Sequence, residues 1–249
     1  MATVYLQALI SGLLIGGVFS LISVGLTLTF GVMKIKNFGH GDFLIIGMYF
    51  AFFCYTLLGI DPYIAAAMGV PLFFGIGWVM QKFLIRPVLY APETIKILVT
   101  VGISLCIQNI AVFFFSPDFQ TVQVAYGSYT IEFFGARISL SRLAATGLAI
   151  VIVIALYQFL MHSRTGRAIR ACAEDGDGAR AVGIDIDRIY MIALGISTVC
   201  VCLAGAMMTP FFYISPTVGL SFTLTAFVVV VLGGLGNLKG CLLYTSPSP

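Results

Sequence analysis

From Ile189 to Leu238 the chain runs for 50 residues without a charged side chain. A helix that crosses a bilayer needs about 20 apolar residues, so this run is long enough for two crossings and the turn between them. Shorter neutral runs cover residues 1–33, 43–60, 62–81, 97–117 and 143–163. Only 23 of the 249 residues carry a formal charge, where a soluble domain of this size carries roughly 60. The runs predict an all-α polytopic membrane protein with about seven transmembrane helices, near 5–32, 43–60, 62–82, 97–115 and 142–161, with two more sharing the 50-residue run. Pro210, Pro216 and Gly219 punctuate that run where one crossing from Ile189 ends, which places the turn at 210–219. Asp61 followed by Pro62 reads as an N-cap and first helical residue, starting the third helix after a short turn.

Charge position sets the orientation. The segment from His162 to Ile189 holds five Arg and five acidic residues. Placing it in the cytoplasm puts Lys34, Lys36, Lys82, Arg86, Lys96, its own five Arg and Lys239 inside, and only Arg137 and Arg142 outside. Positive residues favour the cytoplasmic side, so the N-terminus is predicted outside, and so is the 116–142 loop. That loop alternates Val122, Val124, Tyr126, Tyr129, Ile131 and Phe133 with polar residues, as in a short hairpin or an interfacial segment. The net charge of +3 and the scatter of basic residues over short loops give no footprint for nucleic acid.

Ala8, Gly12, Gly16 and Ser20 recur every four residues on one face of the first helix, where small side chains allow another helix to approach closely. Packing within the chain and a dimer face are the two readings. Gln108 and Asn109 are the polar pair deepest in a neutral run, with bonding between helices as the default and a substrate contact as the alternative. Two Gly-rich stretches interrupt the apolar pattern, K-I-K-N-F-G-H-G-D at Lys34–Asp42 and G-G-L-G-N-L-K-G at Gly233–Gly240. Paired breaks in two halves of a chain suit an inverted-repeat transporter whose broken helices line the pathway; two cytoplasmic turns are the other reading. The first helix is long for one straight span, so Asn37–Asp42 either loops outside the membrane or dips into it.

The chemistry of an enzyme is missing from the pattern. No G-x-x-x-x-G-K-[ST] nucleotide loop and no H-E-x-x-H occur, and the six cysteines form no C-x-x-C pair. No metal site and no cofactor are expected in this chain. His40 beside Asp42 reads either as a proton relay or as a histidine steadying a Gly-rich turn. Within 162–189, Ile169, Cys172 or Ala173, Ala179 and Val182 recur at helical spacing among charged residues, predicting a short amphipathic helix that ends at Gly183 as a C′ glycine. Gly176 and Gly178 lie inside it, each disfavoured by about 1 kcal/mol relative to Ala, so the helix frays or divides in two. Its apolar stripe needs cover, from a partner's groove or from the membrane and neighbouring loops.

Three motifs in order, N-F-x-H-G-D at Asn37–Asp42, R-A-x-R-A-C-A-E-D with A-x-x-x-G-I-D at Arg167–Asp185, and V-V-V-V-L-G-G-L-G-N at Val228–Asn237, resemble the permeases of branched-chain amino acid ABC importers. The resemblance implies an inverted-repeat importer permease in the cytoplasmic (inner) membrane, moving branched-chain or related small amino acids by ATP-driven alternating access. It implies two separate ATPase subunits that carry ATP and Mg, a second homologous permease, an extracytoplasmic substrate-binding protein and surrounding membrane lipid as partners. Carried over, Arg167, Arg170, Ala171, Ala173, Glu174, Asp175, Ala179 and Gly183 form the ATPase-coupling element. Asn37, Phe38, Gly39, His40, Gly41 and Asp42, with Gly233, Gly234 and Gly236, line or shape the translocation pathway. Permeases of this kind also carry urea, short amides and other amino acids. Residues 1–240 read as one permease domain containing the 162–189 coupling loop. The stretch C-L-L-Y-T-S-P-S-P at Cys241–Pro249 breaks the family pattern and reads as non-native, with the last helix or two absent. The rival class is an ion-coupled secondary transporter or channel acting without an ATPase, which calls for a buried carboxylate or proton-relay pair near the membrane centre.

Overall fold

The computed structural model describes residues 2–115, 118–133 and 136–234; Gly236 and the Cys241–Pro249 tail lie outside them. Nine α-helices are described there: α1 Ala2–Met33, α2 Asp42–Leu58, α3 Pro62–Met80, α4 Glu93–Phe115, α5 Leu140–His162, α6 Arg164–Glu174, α7 Gly176–Ala181, α8 Ile186–Met208 and α9 Gly219–Gly233. A π-turn at Gln81–Ile85 and a 3-10 turn at Arg86–Val88 prolong α3. Five helices are long and apolar enough to cross a membrane, namely α1, α3 with its extension, α4, α5 and α8. The other two apolar helices, α2 and α9, have 17 and 15 residues. The outward-facing side chains of these helices are largely apolar, with Leu98 and Phe113 on α4 exposed by 70% and 83%, a surface suited to lipid rather than water. This is a multi-pass membrane protein.

The sequence signals act where expected. Asp61 caps α3 by accepting from the Tyr63 amide at 2.9 Å, and Pro62 opens the helix. The 50-residue run divides into α8 and α9 around an irregular stretch at 209–218. The 116–142 loop holds a hairpin, β1 Thr130–Phe133 paired antiparallel with β2 Ala136–Ser139 in the register Ile131 to Ile138.

The buried centre is α8, and its small residues explain why. The α-carbons of Gly47 and Gly205 meet the backbones of Cys202 and Leu44, so α2 and α8 touch main chain to main chain. Thr29 donates to Ser197 Oγ at 2.6 Å, and Ser197 donates to Gly25 O at 2.7 Å, pinning α1 to α8. The prolonged α3 runs antiparallel to α8, with Gly77 against Leu194 and Gly195 and Arg86 paired to Asp187 at 2.5 Å. The first helix meets α5 at Gly17, where a β-carbon would overlap the Thr146 methyl, and Thr146 Oγ1 donates to Leu14 O at 2.6 Å. Of the small-residue ladder, Ala8 is exposed, Gly12 half-buried, and Gly16 and Ser20 buried.

Candidate functional site

The chain does not leave the bundle after α1. Lys34, with φ at +53°, turns it back. Lys36 pairs with Glu93 at 3.3 Å, at the first residue of α4. Six residues later Asp42 Oδ1 accepts from Gln108 Nε2 at 2.9 Å. Thr100 reaches Lys36 O, and Asp42 meets Gln108 two turns further along α4, so the intervening segment climbs alongside α4 through tight turns closed by His40 N to Asn37 O at 3.3 Å and Asp42 N to Gly39 O at 3.1 Å. On the α1 side, the His40 Nε2–Ile22 O distance of 3.0 Å puts His40 eleven residues, about 16 Å, back from the end of α1. Asn37–Asp42 therefore dips into the helix bundle as hydrogen-bonded turns that lead into α2, not as an outside loop.

Backbone groups buried in a bilayer need partners, and the side chains of this segment and its neighbours provide them. Asn37 Oδ1 accepts from the Gly39 amide at 3.1 Å, and Thr100 donates to Lys36 O at 3.3 Å. The Gly41 amide donates to Thr223 Oγ1 at 2.9 Å. Gly39 and Gly41 are the residues that fit: a β-carbon at 39 would press on Thr100 O at 3.1 Å, and one at 41 would overlap Gly219 O and Thr223. Phe38 stacks on Phe227 with ring centroids 5.3 Å apart. Asn37, His40 and Asp42 are buried inside the chain. His40 and Asp42 are not hydrogen-bonded to each other: His40 faces the Ile22 carbonyl, whereas Asp42 faces α4 and α9.

The partner of this segment is the start of α9, not its end. Asp42 lies against Gly219, and Thr223 one turn on reaches Gly41. Gly233 and Gly234 are fourteen and fifteen residues further along, about 21 Å away down α9; Gly234 adopts φ +90° there as the C-cap. Thr223, Ser104 and Gly219 complete the cluster; the sequence flagged Gly219 only as a turn and the two hydroxyls not at all, because a Thr or Ser in an apolar helix usually bonds its own preceding turn. Of the polar pair, Gln108 joins helices while Asn109 bonds only Leu105 O of its own helix, at 2.7 Å.

The charged segment at the other end forms two helices, the divided form of the expected element, and the second closes at Gly183. Asp175 ends α6 in an extended conformation and caps α7, accepting from the Asp177 amide at 3.1 Å. The glycines at 176 and 178 sit in the first turns of α7, where their low helix propensity is least disruptive. Gly183, at φ +86°, closes α7 with amide bonds from Gly183 to Arg180 O at 3.0 Å and from Ile184 to Ala179 O at 3.1 Å, the Schellman pattern. Ile169, Cys172 and Ala179 are buried against their own chain, whereas Val182, expected on the same stripe, is 77% exposed. Most of the apolar stripe is thereby covered by the chain itself, and Val182 stays outward. Beside it Arg167, Arg170, Glu174 and Asp175 are exposed, with Ala171 and Ala173 half-buried. Burial pushes the Cys172 thiol above its ordinary pKa. Among the described residues no three of His, Cys, Asp and Glu converge as a metal site would need.

The chain matches, over residues 8–245, the family model described as the permease component of branched-chain amino acid transport systems. It is 29% identical over 252 positions to the high-affinity branched-chain amino acid transport system permease protein LivH of Escherichia coli strain K12, covering 96% of this chain and 82% of that one. It is 28% identical over 256 positions to the permease protein BraD of Pseudomonas aeruginosa, with the same coverage. Similarity extends to a probable LivH of Methanocaldococcus jannaschii, 25% identical over 90% of this chain and 72% of the relative. No solved structure matches. With the family match running from the first helix through the charged segment and past α9, this chain belongs to the permease components of branched-chain amino acid transport systems.

Proposed function

We propose that the chain is the membrane-spanning permease subunit of an ATP-driven importer of branched-chain or related small aliphatic amino acids, in the cytoplasmic membrane. In this reading the seven apolar helices are all membrane segments, the N-terminus lies outside, and α6–α7 faces the cytoplasm. ATP and Mg are held by two partner ATPase subunits. A second homologous permease completes the membrane part, an extracytoplasmic binding protein delivers substrate, and lipid surrounds the whole. Residues 1–240 act as one permease domain.

The observation that carries this reading is the exposed charged face of α6–α7. Most of its apolar side is already buried in the bundle, so a push on Arg167, Arg170, Glu174 or Asp175 is transmitted through Ile169 and Cys172 into packed helices, and close-packed elements shift as units rather than deform. The dipping segment Asn37–Asp42, together with Gly233, Gly234 and Gly236, shapes the pathway those helices open to each side in turn. Glu174→Lys reverses charge on the coupling face without touching the core. Reconstituted with its partners, this variant is expected to reach the membrane at normal levels and to lose both uptake and substrate-stimulated ATP hydrolysis; unaltered uptake would show that the coupling assignment is wrong.

A further inference from the structure

At the opposite end from α6–α7 a cavity of about 290 Å³ opens between α1, α5, the first turns of α9 and the chain that follows Met208. This is near the lower end of small-molecule pockets, roughly 300–1,000 Å³. Three rings build its apolar wall: Phe19 stacks on Phe222 at 5.2 Å, and Phe212 meets Phe222 edge-on at 5.4 Å. Against them stands one cation. The Arg142 guanidinium lies 5.8 Å over the Phe211 ring, and among the described residues no carboxylate pairs with it. Arg142 also sits in the first turn of α5, which holds no acidic residue; the helix dipole opposes a cation there. Ser221 Oγ spends its proton on Val218 O at 2.8 Å, which leaves its lone pairs free to accept.

We infer that this cavity is a binding site for aliphatic amino acids, with Arg142 holding the carboxylate. The fork of a guanidinium matches a carboxylate in two parallel hydrogen bonds. The branched side chain fills the space between the Phe19, Phe212 and Phe222 rings, and the ammonium meets Ser221 Oγ and the ring faces. The site lies on the side where the proposed orientation puts delivery, and it rests on the transport reading above.

The test places a reporter thiol in the cavity of the complete transporter. In membrane vesicles, Ser221→Cys is modified with a charged methanethiosulfonate reagent, with unsubstituted transporter as the background. L-leucine at ten times its dissociation constant is expected to slow modification roughly tenfold, since only the free site reacts. Isopentylamine, which is leucine without its carboxylate, is expected to give no protection. Adding Arg142→Gln should abolish protection, measured as the ratio of the rates with and without leucine in that same variant, and Arg142→Lys should restore part of it. Modification indifferent to leucine in vesicles that accumulate leucine, equal protection by isopentylamine, protection that survives Arg142→Gln, or a thiol that never reacts would each overturn the site. The leucine and isopentylamine comparison needs no change at Arg142, so it stands even where the Arg142 variants fail to assemble. Vesicles that take up no aliphatic amino acid would overturn the transport reading itself.

Discussion

The carboxylate of Asp42 rests against the α-carbon of Gly219, at the point where α2 and α9 both begin. Two helix N-termini, each with its positive dipole end, thus share one acidic side chain. Neither first turn has a capping side chain of its own. The arrangement needs glycine at 219 and ties the dipping segment, α4 and α9 into one unit.

Gly219→Ala puts a methyl group into the Asp42 carboxylate. Overpacking of this kind costs about 1–3 kcal/mol, and the expected outcome is a lower melting temperature in detergent. A β-carbon at Gly75, on α3, would meet nothing within 4 Å, so Gly75→Ala is expected to be neutral or slightly stabilising, by up to about 1 kcal/mol. Equal melting of the two variants would contradict the contact.

Gln108 and Asn109 are adjacent in sequence and differ in what they hold. Gln108→Leu leaves Asp42 without its amide donor, and losing a hydrogen bond to a charged group costs roughly 1.5–3 kcal/mol. Asn109→Leu removes only a bond to its own exposed helix turn, with an expected effect within about 0.5 kcal/mol. Thermal unfolding of the purified variants, compared with the parent, separates the two.

At Gly183 the backbone holds φ +86°, a region that disfavours residues with a β-carbon by about 1–2 kcal/mol. Gly183→Ala is expected to loosen the end of α7 while leaving the membrane helices intact. Hydrogen exchange should rise across 176–185 and stay unchanged across α8; protection unchanged over both would count against the Schellman turn.

Cys172 is buried under α6, and burial resists ionisation of its thiol. The folded chain keeps this proton where the unfolded chain has lost it. The contribution to stability is therefore fully present below the ordinary thiol pKa, about 8.5, and is lost as pH rises through the folded value. Cys172→Ala is expected to flatten the alkaline fall in melting temperature above that point. Maleimide should modify the native Cys172 only after denaturation, and rapid labelling of the folded protein at neutral pH would argue against its burial.

The local sequence alone determined that this chain is a helical membrane protein, where Asp61 and Pro62 start a helix, and that the 50-residue run breaks near Pro210 to Gly219, while it left the 116–142 loop open between a hairpin and an interfacial segment. Those features depend on neighbours in sequence, on the solvent each residue prefers and on backbone angles that Pro and Gly impose. The sequence also put a terminating glycine at 183, but the division at Asp175 followed from a cap that competes with helix continuation. Only the tertiary structure decided that residues 37–42 dip into the bundle, since turns whose amides find Thr223 and Asn37 have the same local sequence as turns outside the membrane. It alone placed Asp42 at Gly219 instead of near Gly233, located the close α1–α5 approach at Gly17, and covered the stripe of α6 from within. Each of these is a contact between residues far apart in the chain, settled by which backbones approach closely enough to exclude a side chain.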